Sequence, residues 1–179
     1  MYSYSHFKKT LPSGLRFVVV DIPCLHRVVT TMFIKAGSAY ESGGTNGLSH
    51  FLEHILLRGP EQYPNSIEFW QALESSGLSL GARAFKEFTY FSLDSISSAL
   101  PKAIETLFQF LLSPRFNKDE VESERQITLE EALESLNAQG INVDVDDIAS
   151  KLLWPNHPLG MTILGPAQNI KKFKIRDLK

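Results

Sequence analysis

Two histidines and a glutamate stand close together in the stretch His50-Phe51-Leu52-Glu53-His54. On a helix, positions i and i+4 share one face about a turn apart, so His50 and His54 would present two imidazoles side by side. Zinc takes nitrogen ligands in a tetrahedral array, and two such imidazoles can hold one ion. Glu53 follows His50 by three positions and falls on the same side of the helix. There its carboxylate can accept a proton from a zinc-bound water, whose pKa the metal lowers to about 7. A single histidine on an apolar helix is usually structural. The pair, with a carboxylate between its members, is what points to a metal and to hydrolysis.

A catalytic zinc typically has three protein ligands and one open position, so a third ligand is required from elsewhere. The long charged segment 118–137 offers Glu122, Glu124, Glu130, Glu131 and Glu134. Glu124 and Glu131 are seven apart and nearly in line on one helix face. A carboxylate buried there needs a cation or hydrogen-bond partners, and zinc would supply the cation. His6, His26 and His157 have no partner at ligand spacing and read as surface or loop residues. Gly43-Gly44-Thr45-Asn46-Gly47 lacks the lysine of a nucleotide loop, and no Gly-x-Ser-x-Gly elbow is present. Cys24 has no evident nucleophilic role.

Several elements must position these residues. Residues 15–22 form an apolar, valine-rich run after Pro12-Ser13-Gly14 and read as a buried strand. Residues 28–36 read as the next strand, joined to it as a hairpin through residues 23–26. A Gly- and Ser-rich loop leads to a helix over 47–57, with Leu48, Phe51, Leu52, Ile55 and Leu56 at helical spacing and Arg58-Gly59-Pro60 as its stop. A helix over 66–73 starts at Asn65 or Ser66. Two strands over 78–84 and 87–93 follow, then helices over 100–112, 118–137 and 145–153 and a helical turn within 167–173. In the 118–137 helix, Val121, Ile127, Leu129, Ala132, Leu133 and Leu136 are the apolar members. This order predicts an α+β fold, mainly antiparallel sheet with helices packed on one side.

The bulk properties narrow the function further. A chain of 179 residues fits one domain with a real core, and 43% apolar and 21% charged residues are ordinary for a globular protein. A net charge of −2, without a basic stripe, argues against a nucleic-acid partner. The lone Cys24 allows no internal disulfide, which suits a reducing compartment. Residues 1–9 lack the apolar core of a signal peptide, and no apolar run nears the roughly 20 residues of a membrane span. These features predict a cytoplasmic protein, or a periplasmic one whose leader has been removed, without a membrane span.

His50-Phe51-Leu52-Glu53-His54 is the inverted zinc motif His-x-x-Glu-His. With its surroundings it resembles the insulinase, or pitrilysin-type, peptidases of family M16, which include bacterial processing proteases and mitochondrial processing peptidase. The resemblance runs over nearly the whole chain: Thr10 to Leu15, Gly37-Ser38-Ala39-Tyr40-Glu41, Gly47-Leu48-Ser49-His50, Ser113-Pro114-Arg115-Phe116, His157-Pro158-Leu159-Gly160 and Leu164-Gly165. It implies that His50 and His54 are zinc ligands and that Glu53 is the general base. The family's distal segment reads Glu-Arg, six residues, then Glu. Glu124-Arg125 sets that register, so the third ligand falls on Glu131, 131 − 54 = 77 residues after His54. Glu124 matches a glutamate that supports the site without binding metal.

The family binds peptide substrate as a strand added to a sheet edge. The matching residues here are Gly81, Ala82 and Arg83, with Gly81 where the family often has Asn. Leu57 likewise replaces a common aromatic. The family's domains exceed 200 residues and act in pairs, so the resemblance implies a second M16-like domain, in cis or as a partner subunit. Residues 1–179 are accordingly expected to be one catalytic domain, incomplete at its C-terminus and inactive alone. The implied activity is that of a zinc-dependent endopeptidase acting on extended peptides. The alternative is a scaffold subunit of the same family, which keeps the fold and pairs with an active partner.

Overall fold

A computed structural model describes residues 3–179. Five strands and seven helices follow the order β1 (Ser5–Thr10), β2 (Arg16–Asp21), β3 (Arg27–Ile34), α1 (Leu48–Leu56), α2 (Ser66–Ser75), β4 (Ser79–Ala84), β5 (Thr89–Ile96), α3 (Leu100–Leu112), α4 (Lys118–Glu134), α5 (Val145–Leu153), α6 (Ala167–Ile170) and α7 (Ile175–Leu178). All strand pairings are antiparallel, and the fold is α+β as the element order predicts.

The central sheet has three strands in the order β3-β5-β4. Burial alternates along β5: Thr89, Phe91, Leu93 and Ser95 face the core, while Tyr90, Ser92 and Asp94 face the other way. That period of two is the mark of a sheet covered on one face. The cover is α2 and α3. Phe69 and Leu73 of α2, with Ala103, Leu107 and Phe110 of α3, pack on Leu80, Phe91 and Leu93. Asn65 starts α2 through its side-chain oxygen, which accepts from the Glu68 N–H at 2.9 Å.

The N-terminal region departs from the sequence reading. Residues 15–22 were expected to be a buried strand in a hairpin with β3. Instead β2 pairs with β1 in a separate two-stranded ribbon, and β3 pairs with β5. Val18, Val19 and Val20 are 57%, 50% and 56% exposed. An apolar run without alternation states a preference for extended structure and does not say which strand it pairs with. β1 carries only Phe7 as a large apolar residue, which pairs by register with Val19 and whose ring lies 5.8 Å from that of Phe17, so it gave no strand signal.

The helix α1 lies between two cores. Leu56 joins the sheet core, whereas Phe51 and Ile55 pack with Val121 of α4 and with Ile170, Phe173 and Leu178. Arg125 of α4 ties the second core together. Its guanidinium donates to the carbonyls of Ile170 and Phe173 and sits 5.2 Å from the centre of the Phe51 ring. None of the helices among the described residues is long and apolar enough to cross a membrane.

Helix α4 differs from its expected apolar face. Of the expected apolar members, Val121 is buried and Leu129 and Ala132 pack on the second core, but Ile127 and Leu133 are 39% and 63% exposed, and Glu124 and Thr128 are buried beside Val121. The face turned toward α1 is therefore mixed, with Glu124 and Thr128 among apolar residues. The helix also ends at Glu134, three residues before the expected 137, while the helical turn expected within 167–173 is α6.

Candidate metal centre

The face of α1 that carries His50 and His54 looks at the inward face of α4. The imidazole centres are 4.7 Å apart. His54 Nε2 lies 3.4 Å and His50 Nε2 3.7 Å from Glu131 Oε2. These residues form a group whose ligand atoms all lie within 4.8 Å of one another. A tetrahedral ion with bonds of about 2.0–2.1 Å separates its ligand atoms by roughly 3.3–3.4 Å. The His–Glu separations are close to that, and they are too long for good hydrogen bonds.

The protonation chemistry supports the same reading. Glu124 Oε2 lies 2.8 Å from His54 Nδ1. A carboxylate accepts, so Nδ1 carries the proton, and Nε2 is the ring nitrogen turned toward Glu131. The other oxygen of Glu124 pairs with the Arg58 guanidinium. Burial, aided by the neighbouring His54, lowers the pKa of His50 to about 4. His50 is therefore a neutral imidazole near neutral pH, and its buried Nδ1 has no hydrogen-bond partner. Two imidazole nitrogens and a carboxylate, converging without a proton shared well between them, form an N,N,O donor set suited to zinc.

Glu53 is on the same helix but points to the sheet. Its Oε2 accepts from the Ala84 N–H of β4 at 3.3 Å, and the residue is only 7% exposed. Burial raises its pKa, against the opposing pull of His54, the Ala84 hydrogen bond and Arg83. A carboxylate with a raised proton affinity is a better general base than an exposed one.

The sequence candidates separate cleanly in space. Glu124 and Glu131 face α1. Glu122, Glu130 and Glu134 are exposed, and Glu122 pairs with Arg125 at 2.9 Å. His6, His26 and His157 are exposed and lie outside the cluster. Gly81, Ala82 and Arg83 lie on β4, an edge of the central sheet, one residue or more before the Ala84 that touches Glu53.

The structure adds residues that the sequence reading did not single out for the site. Arg58, read only as part of a helix stop, is four positions after His54 and holds Glu124. Glu41 caps α1 from outside the helix: its Oε2 accepts from the Gly47 N–H at 2.8 Å and its Oε1 from the Ser49 N–H at 2.6 Å. Gly47, with φ of 98°, has no side chain to cap with. A Cβ there would meet the Leu164 carbonyl oxygen at 2.5 Å, so the 162–165 loop lies directly on the start of α1. Asn46 and Asn169 complete this contact. Asn46 Nδ2 donates to the Thr162 carbonyl, and Asn169 Nδ2 donates to the carbonyls of Gly43 and Asn46.

Residues 16–167 match the family model described as Insulinase (Peptidase family M16). This chain belongs to the M16 peptidases. It is 34% identical over 169 residues to the human mitochondrial-processing peptidase subunit beta, covering 94% of this chain and 34% of that one. It is 30% identical over 163 residues to an uncharacterized zinc protease of Mycobacterium bovis, covering 91% of this chain and 36% of that one. A similar fold is seen in a Helicobacter pylori protease (TM-score 0.80, 23% identity, 97% of this chain and 41% of that one). An M16 inactive domain of Pseudomonas fluorescens superposes with a TM-score of 0.84 at 19% identity, over 97% of this chain and 42% of that one. The chain thus spans about a third of the length of the curated relatives it matches.

Proposed function

We propose that this chain carries the metal-binding part of a zinc-dependent endopeptidase. The observation that carries the reading is the convergence of His50, His54 and Glu131 beside the buried carboxylate of Glu53. His50, His54 and Glu131 would hold the zinc. When bound, zinc supplies a Lewis acid that polarises the peptide carbonyl and eases deprotonation of water. Glu53 accepts the proton that water loses as its oxygen attacks the carbonyl carbon. The same carboxylic acid returns that proton to the leaving amine. Ala84, through its N–H, holds Glu53 between helix and sheet edge, and Glu124 holds the ring of His54.

The β4 edge would bind the peptide backbone. The Phe85 N–H donates to the Phe88 carbonyl at 2.8 Å, so those two residues form a hydrogen-bonded pair. Such pairs alternate along an antiparallel ladder. Arg83 and Gly81 therefore bond to β5, while the N–H and C=O of Ala82 turn outward, as does the Ala84 N–H that Glu53 takes. A peptide strand pairing with Ala82 would lie beside the metal ligands. The human relative is named as one subunit of a processing peptidase, which supports a second M16-like domain, in cis or as a partner subunit, that completes the active unit.

Metal analysis and peptide cleavage on the full-length protein test the reading. About one zinc per chain is expected. Glu53→Gln should keep that zinc and lose hydrolysis, because the amide cannot accept the proton. Equal hydrolysis by Glu53→Gln, or no zinc in the intact protein, would refute the assignment.

A further inference from the structure

The uncovered face of the central sheet carries a pattern that the metal site does not use. Cross-strand register lines up Phe33, Tyr90 and Arg83 in one row and Thr31, Ser92 and Gly81 in the next. The first row is bulky and aromatic: the Phe33 and Tyr90 rings are 6.0 Å apart, and the Arg83 guanidinium lies 5.0 Å from the Phe85 ring centre. The second row is small. A Cβ on Gly81 would meet only the Ser92 hydroxyl, at 3.4 Å, so the space above it is open.

Arg83 is exposed at the sheet edge, and no carboxylate of the described residues forms a salt bridge with it. It immediately precedes Ala84, whose N–H donates to Glu53, which places it near the proposed reaction centre.

We infer that β4 selects peptides by charge and size at two alternating positions: an acidic side chain facing Arg83, and a bulky one facing Gly81. The inference rests on the proposed peptide-binding edge. A peptide paired antiparallel to Ala82 places its flanking residues opposite Arg83 and Gly81 in non-hydrogen-bonded pairs, where side chains come closest. Both flanking side chains fall on the uncovered face, because Arg83 and Gly81 do. Opposite Arg83, a carboxylate meets a guanidinium that can bind it through two parallel hydrogen bonds. Opposite Gly81, a large side chain meets no competing side chain and can rest against the neighbouring aromatic row.

The test uses the full-length zinc-loaded protein and a positional peptide library. Its expected result is enrichment of Asp and Glu at one position relative to the cleaved bond, with bulky residues two positions away. For a matched pair of peptides differing only in Glu or Lys there, kcat/KM should favour Glu by roughly threefold to tenfold, the range of a partly exposed ion pair replaced by repulsion. Arg83→Glu should turn the preference to Lys at the same position. Zinc-dependent cleavage with no acidic preference, or with a preference unchanged in Arg83→Glu, overturns the inference and leaves the peptidase reading intact. If zinc-dependent cleavage is absent, the peptidase reading fails, and binding of the same two peptides to Glu53→Gln protein decides the inference alone. Equal Kd values overturn it; a Glu preference that inverts in the Arg83→Glu, Glu53→Gln double variant upholds it.

Discussion

Replacement of Glu124 by Gln tests whether the metal site is held from behind. Glu124 has a side chain only 5% exposed, with Oε2 2.8 Å from His54 Nδ1 and Oε1 on the Arg58 guanidinium. Gln keeps the volume and removes the charge. A charge-assisted hydrogen bond contributes about 1.5–3 kcal/mol. Arg58 is 28% exposed, so water can solvate it once the carboxylate is gone. The loss of stability should therefore be about 1.5–3 kcal/mol and not the roughly 3–5 kcal/mol of a fully buried orphaned charge. The effect on zinc has a separate origin. The Gln amide can turn its NH2 toward His54, which would make Nδ1 an acceptor and place the proton on Nε2, facing Glu131. Loss of a partner that orients a metal-binding histidine typically weakens metal affinity about 10–100-fold. Zinc affinity would be read by competition with a chromophoric chelator, on protein shown to be folded by circular dichroism, and stability by chemical denaturation of the metal-free protein. Arg58→Met is the companion variant, since it lowers stability but leaves the Glu124–His54 bond in place. If Glu124→Gln loses stability yet binds zinc as tightly as the unaltered protein, Glu124 is a structural residue and does not orient His54.

Other outcomes follow from the same geometry. Glu41→Ala removes the acceptor of the Gly47 and Ser49 N–H groups, and denaturation should show a loss of about 1–2 kcal/mol, as for other helix caps. Phe51→Ala empties a fully buried position between α1 and α4 and should cost about 3–5 kcal/mol by the same measurement. Gly165→Ala should also destabilise the protein, because the new Cβ would meet the Asn46 carbonyl oxygen at 2.2 Å on backbone with φ of 72°. Gly81→Asn should fold with a stability within about 0.5 kcal/mol of the starting protein, since its Cβ has room and the residue faces away from the core.

The site was more legible in the sequence than the sheet that supports it. His50 and His54 share a helix, and helical spacing fixes their relation without any knowledge of the rest of the fold. The same spacing put Glu124 and Glu131 on one face of α4, although resemblance to the family was needed to choose Glu131 as the proposed ligand. Pairing of β2 was not legible, because Phe17 to Val20 are all apolar and no alternation marks a buried face. The role of Glu41 was hidden for a different reason. Its partners lie six and eight residues away, across a glycine-rich loop, and a cap supplied from outside the helix leaves no local motif. Arg58 was masked by its own position: Arg58-Gly59-Pro60 is a sound helix stop, and the arginine does a second task there.

The buried Glu124 and Thr128 explain why apolar periodicity marked only part of the inner face of α4. Burying Glu124 and Thr128 opposes folding unless each finds a partner, and each does: Glu124 has His54 and Arg58, and the Thr128 hydroxyl donates to the Glu124 carbonyl at 2.8 Å. Glu131 differs. Its neighbours across the helices are the Nε2 atoms of His50 and His54, at distances that make poor hydrogen bonds. A helix selected for stability alone would place an apolar residue at position 131, one turn beyond the fully buried Thr128. Glu131→Leu therefore separates the two demands on this position. Metal-free Glu131→Leu should be at least as stable as the unaltered protein, because the carboxylate has no strong partner to lose and Leu adds apolar burial. Zinc binding should fall sharply, since only two of the three proposed ligands remain. Added zinc should raise the Tm of the unaltered protein and leave that of Glu131→Leu almost unmoved, because a ligand stabilises a fold only as far as it binds it. A zinc-induced rise of equal size in both proteins would remove Glu131 from the ligand set.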